Sequence, residues 1–185
     1  GSGTVGIGGN IGGTTSTDLA AIKINESAGS GAITLSGNIG TTSVFGATTI
    51  EIGNADTTSL SLDGSFYSSD DAQTYKADAY SLGGTDPDFA STGDNIIFHD
   101  GGTTTAFVLG NAADLEVNTN LGASAGGNIE FKDNITIKGI QNNAAQDVVL
   151  DAGTGTVTVK AIGTSTAEIN DCLLYTSDAA DEELR

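Results

Sequence analysis

The sequence predicts an all-β chain, and within that class a parallel β-solenoid (β-helix) built from short strands with Gly/Asn turns. Two observations carry this. An apolar-x-apolar unit recurs along the 185 residues, and the segments between units are rich in Gly, Asn and Asp, the residues that tolerate the positive φ of sharp corners. A third supports it: no window of residues 1–171 sustains a 3.6-residue apolar pattern with caps, so helix should be nearly absent.

The units are Ile22-Lys23-Ile24, Ile33-Thr34-Leu35, Ile50-Glu51-Ile52, Leu60-Ser61-Leu62, Leu115-Glu116-Val117, Ile129-Glu130-Phe131, Ile135-Thr136-Ile137 and Val157-Thr158-Val159. Period two marks brief strands with one buried face. Ile96-Ile97-Phe98, Phe107-Val108-Leu109 and Val148-Val149-Leu150 are continuous apolar runs assigned to the same strand set. Each triplet is expected to send two side chains inward and one outward, and each inward aliphatic contributes roughly 1.5 to 3 kcal/mol on burial. One coil cannot hide its own core, so coils must stack. Two segments repeat: Gly93 to Asp100 aligns with Gly126 to Asp133, and Gly9-Asn10-Ile11-Gly12 recurs as Gly37-Asn38-Ile39-Gly40, offsets of 33 and 28 residues. Such periods fit solenoid coils of unequal length. An antiparallel β-sandwich shares the alternation and turn spacing and is the alternative; the brevity of the strands, the lack of Trp and the single Pro weigh against it.

Charge excludes some functions. The chain has 24 Asp and Glu against 6 Lys and Arg, a formal charge of -18, and its only arginine is Arg185. A nucleic-acid surface needs clustered cations, so nucleic acid is not the expected partner. No run of about 18 apolar residues exists, and no membrane insertion by this segment is expected.

The domain reading is a β-solenoid repeat segment over 1–171, an internal fragment of a larger protein, followed by a tail of a different character. Residues 172–185 resemble a translated sequencing adapter and are expected to be non-native. The body without them holds 20 acids, five lysines and no cysteine.

Chemically competent side chains are sparse. His99 is the only histidine, with Asp94 and Asp100 near it in sequence, a poor catalytic inventory that reads as a turn or surface residue. Gly29-Ser30-Gly31 is too short for a nucleophile elbow, and Gly122 to Gly127 lacks the Lys-Ser/Thr ending of a phosphate loop. No catalytic or cofactor-binding residue is assigned, and the chain is read as a non-enzyme. Paired acids at Asp70-Asp71, Asp86-x-Asp88 or Asp94 to Asp100 raise a carbohydrate-active β-helix enzyme as an alternative. No cofactor is expected beyond calcium, for which Asp70, Asp71, Asp86 and Asp88 are the candidate ligands of a calcium-dependent binding module. Outward Glu51, Glu116 and Glu130 should repel if they stack on neighbouring coils, and outward Thr34, Thr136 and Thr158 raise an ice-binding array, interrupted here by Lys and Glu.

The segments Gly9 to Thr15, Ala32 to Thr41, Ala72-Gln73-Thr74-Tyr75-Lys76, Gly127-Asn128-Ile129-Glu130-Phe131 and Asp147 to Val159 together resemble the repeat regions of large bacterial filamentous-haemagglutinin-like adhesins. The resemblance spans most of residues 1–171. It implies an extracellular rod at the bacterial cell surface, outer membrane associated, whose repeats carry a binding tip outward. Its implied partners are neighbouring repeats of the parent protein and a host-surface protein or glycan. The secretion domain and anchor that such adhesins carry are not in this sequence, so the expectation is a structural or adhesive segment of the secreted whole.

Overall fold

The computed structural model describes residues 2–12, 19–27, 29–41, 45–102, 105–110, 114–121, 125–140 and 146–176. Residues 177–185 of the tail, Gly13, Thr14 and Thr15 of the first resemblance segment and residues 122–124 of the glycine-rich turn lie outside them.

The chain winds as a succession of short strands around one core, with no helix among the described residues. It opens with β1 (Val5–Ile7), β2 (Leu19–Ile24) and β3 (Gly31–Leu35). Five coils of three named strands follow. They are β4 (Ala47–Gly53), β5 (Thr57–Leu62) and β6 (Phe66–Ser68); β7 (Gln73–Ala77), β8 (Tyr80–Leu82) and β9 (Asp88–Ala90); and β10 (Ile96–Asp100), β11 (Ala106–Leu109) and β12 (Leu115–Asn118). The last two are β13 (Ile129–Phe131), β14 (Thr136–Lys138) and β15 (Asp147–Asp151), then β16 (Val157–Thr158), β17 (Ala161–Ile162) and β18 (Asp171–Tyr175).

Every strand pairs in parallel with its counterpart one coil away, giving three sheets. The first sheet runs β2-β4-β7-β10-β13-β16, the second β1-β3-β5-β8-β11-β14-β17 and the third β6-β9-β12-β15-β18. This is the parallel solenoid expected from the sequence, and the two-layered antiparallel sandwich is not formed. Both sequence repeats are stacked neighbours: Ile96 pairs with Ile129 and Ile11 bridges Ile39. Coil length nevertheless varies. Ile50 pairs with Gln73 and Gln73 with Ile96, steps of 23 residues, whereas Leu60 to Tyr80 takes 20. Register is set by which side chains must face inward, and the turns absorb the difference.

The triplets behave as period two demands. Ile50 and Ile52, Leu60 and Leu62, Leu115 and Val117, and Ile129 and Phe131 are all buried to within 1 % of completely, while the residue between each pair faces outward. Aromatic side chains fill the middle coils: Tyr75, Phe98 and Phe131 stack at 5.1 and 4.7 Å, and Tyr67 stacks on Phe89 at 4.8 Å. Offset and edge contacts of this kind add to simple area burial.

One core position is polar. Gln73 occupies the inward row between Ile50 and Ile96 and is fully buried. Its Nε2 donates to the carbonyls of Tyr67 and Ala90 at 2.9 and 2.8 Å, and its Oε1 accepts the Tyr75 hydroxyl at 2.9 Å. The side chain thus gives a further donor to backbone carbonyls at the corner between the third and first sheets and is itself fully hydrogen-bonded there. Q73L keeps the volume but leaves the buried Tyr75 hydroxyl without its acceptor and takes a donor from two carbonyls, of which that of Ala90 still accepts the Ser69 N–H at 3.0 Å. It is expected to lower stability by about 1–3 kcal/mol in urea unfolding, more than its hydrophobicity would suggest.

Asparagine ladders hold other corners. The amide of Asn38 donates to Asn10 Oδ1 at 2.9 Å, and that of Ser65 to Asn38 Oδ1 at 2.8 Å. Asn128 repeats this on Asn95 Oδ1 at 2.8 Å, and Thr156 on Asn128 Oδ1 at 3.0 Å. The Gly-Asn-Ile motif is therefore a corner whose side-chain oxygen caps the next coil. Cys172 to Tyr175, the start of the tail, pair with Val148 to Asp151 as the last rung of the third sheet, with Leu173, Leu174 and Tyr175 about half exposed.

Candidate functional site

Two grooves on the outer surface gather charged side chains. The first crosses the third sheet, about 430 Å³ in volume, and is lined by Asp86, Asp88, Asp114, Glu116 and Asp147 beside Phe66. Stacking explains their convergence. Asp88 of β9 lies in register between Phe66 of β6 and Glu116 of β12. The corner acids form a ladder resembling the asparagine ones: Asp114 N–H faces Asp86 Oδ1 at 3.5 Å, Asp147 N–H donates to Asp114 Oδ1 at 2.9 Å, and Asp171 N–H to Asp147 Oδ1 at 3.1 Å. These carboxylates each spend an oxygen on the backbone of the next coil, which accounts for part of the acidity without invoking a ligand.

Of the four calcium candidates, Asp86 and Asp88 enter this groove, whereas Asp70 and Asp71 sit exposed on the turn between the third and first sheets. There Thr92 Oγ1 donates to the Asp70 carbonyl at 2.5 Å and to its Oδ1 at 3.0 Å. Among the described residues no three His, Cys, Asp or Glu side chains are disposed to hold a metal ion. Asp94 and Asp100 do not join His99 either. The Asp100 carboxylate accepts N–H groups from Gly102 and Asn134, on the side of the strand away from the His99 ring.

Asp88 is the perturbed acid of the groove. Burial, and secondarily the charge of Glu116, push its carboxyl up to about 6, and its Oδ1 is buried without a hydrogen-bond partner. The ordinary carboxyl value is 3.8, so the fold takes up a proton between that value and about 6. Ionised Asp88 therefore weakens the fold above about pH 6, and that penalty disappears as pH falls toward 3.8. D88N is expected to raise stability at neutral pH by on the order of 1 kcal/mol, allowing for screening at its partly exposed edge, and to lose this advantage by about pH 4. Paired urea titrations of the two proteins across pH check it. The comparison must be a difference, because His99 acts oppositely: burial, then Lys132 and Lys76, hold its imidazole below 6.5, so charging it in acid costs stability.

The second groove, about 500 Å³, lies over the first sheet and its turn toward the second, lined by Glu26, Glu51, Asn54, Thr74, Lys76 and His99. Its outer column runs Gly53, Lys76, His99 in register, and Lys132 follows, its amide bonded to the Phe98 carbonyl at 2.8 Å. The neighbouring column is Lys23, Glu51, Thr74, Ile97, Glu130, Thr158. Glu51 and Glu130 thus do not stack on each other. Lys23 meets Glu51 at 2.9 Å and Lys132 meets Glu130 at 3.1 Å, leaving Glu116 on Asp88 as a like-charged stack. Thr34 and Thr136 occupy different rows of the second sheet and Thr158 the first sheet, so the three make no common array.

Neither groove is legible in the sequence. Asp114, Glu116 and Asp147 stand far from Asp86 along the chain, and only the coil register brings them together; the shared Asp before a third-sheet strand was the available signal. No family model, curated protein or solved structure matches the chain.

Proposed function

We propose that this chain is a rigid, non-enzymatic segment of a large secreted bacterial surface protein of the filamentous-haemagglutinin-like adhesin type, working as shaft and contact surface. The observation that carries the reading is the continuous register of three parallel sheets around one buried, largely apolar core, a construction that propagates length rather than enclosing a deep pocket. Asn and Asp ladders at the corners lock coil to coil, and the outward face offers hydroxyls and carboxylates to water.

The test is adhesion without turnover. Beads coated with the purified chain are expected to adhere to epithelial cells above albumin-coated beads, and small-angle scattering is expected to give an elongated particle with a compact cross-section. No bead adhesion would reduce the function to spacing.

The acidic groove favours a second reading, the carbohydrate-active β-helix enzyme, because several carboxylates line one depression, although among the described residues no lysine lines it. New reducing ends or unsaturated uronate products from a polysaccharide panel would establish that reading. The calcium-dependent module predicts a melting temperature several degrees higher in millimolar calcium and reversed by chelation.

A further inference from the structure

We propose that the groove over the first sheet binds a sugar residue bearing a single carboxylate, the carboxylate seated against Lys76 and His99 and the hydroxyls against Glu51 and Thr74. The inference rests on the adhesive part of the proposed function and names the ligand class and the residues.

Lys76 is the first reason. Among the described residues no carboxylate lies within 4.0 Å of its ammonium, in a chain with 24 acids, whereas Lys23 and Lys132 each hold one. An unpaired ammonium at the wall of a groove is a ready partner for an anion. The second reason is register. His99 stacks directly on Lys76, so two nitrogen donors project from successive coils about 4.8 Å apart, a separation a carboxylate can bridge. The ring is partly desolvated and faces Lys76 and Lys132 on its own sheet, with Glu130 and Asp133 as the acids around it.

Space is the third. Gly53 lies in the groove lining with its backbone drawn close to the Lys76 carbonyl, 2.0 Å from where a Cβ would stand, so no side chain from this position projects over Lys76. A volume near 500 Å³ lies in the range of small-ligand sites. The other polar groups of the lining are Glu51, held by Lys23, together with Glu26, Asn54 and Thr74, beside apolar Ile52 and Ala55. These suit a polyol, while an acidic peptide would bring its other carboxylates against Glu26 and Glu51. The formal charge of -18 also sets a limit. It repels a polyanion along its length, but with a screening distance of about 8 Å at physiological ionic strength it costs a single carboxylate little.

His99 provides a direct reporter, being the only histidine in the sequence. Its ring resonances are followed by NMR while glucuronate, glucose, acetate or a heparin fragment is added to the full chain. Glucuronate is expected to shift the ring saturably and to raise the pH midpoint of its titration, with glucose and acetate giving far weaker responses and heparin no tighter binding than glucuronate. K76Q should weaken glucuronate binding about tenfold with its amide fingerprint retained, and K138Q, on the second sheet, should leave it unchanged. Equal responses to glucose or acetate, tighter heparin binding, an unaffected K76Q or no saturable shift would each overturn the proposal. Bead adhesion is scored separately, so a failed groove and a failed adhesive function are told apart.

Discussion

Replacing Phe98 by alanine is expected to remove about 3–5 kcal/mol of stability, the largest loss of any single side-chain truncation in the chain. Phe98 is completely buried at the centre of the aromatic cluster, stacked on Tyr75 and Phe131 and touching the edges of Phe89 and Phe107 at 5.2 and 4.9 Å. Truncation opens a cavity that the neighbours cannot fill, because each is fixed by its own strand register. F98L retains most of the volume and should cost about 1–2 kcal/mol. I97A, one position along and facing outward, should cost less than about 1 kcal/mol. Urea unfolding followed by tyrosine fluorescence measures all three. A cost for F98A no larger than for I97A would mean that these coils are not packed around this ring.

G53A is expected to cost about 2–4 kcal/mol, combining two effects. Gly53 has φ of +84°, a left-handed backbone that an L side chain resists, and an added Cβ would lie 2.0 Å from the Lys76 carbonyl. The backbone cannot withdraw without breaking the pairing of Gly53 with Lys76. Gly102 separates the two effects. Its φ is +110° but nothing lies within 4 Å of the Cβ position, so G102A should show the conformational penalty alone, about 1–2 kcal/mol. Equal losses at both positions would remove the steric contribution. Hydrogen exchange supplies a local readout, with the β7 amides losing protection in G53A.

The strands that were legible in the sequence are those with two inward aliphatics, such as Ile50-Glu51-Ile52 and Leu115-Glu116-Val117, because a period of two is local. The strands around Tyr67 and Phe89 were not legible: each is three residues long and fills the core with one aromatic, leaving no alternation to detect. Gln73 was hidden for the opposite reason. Its polarity argues against burial until the carbonyls of Tyr67 and Ala90 are brought beside it. The grooves follow the same rule. Asp86 and Asp88 are separated in sequence only by Pro87, but their neighbours Asp114, Glu116 and Asp147 come from the next two coils, whose lengths the composition does not specify.

By itself the sequence determined the fold class, the absence of a sustained helical pattern, the inward and outward faces of most rungs and the corner role of Gly-Asn-Ile, since all of these depend on side chains within a few residues of one another. Only the tertiary structure decided which acids stack, that Lys76 stands on His99 and that the Gly53 backbone presses close to the Lys76 carbonyl. Those relations depend on coil length, and coil length is set by how turns of 20 to 33 residue repeats close so that each inward row stays continuous.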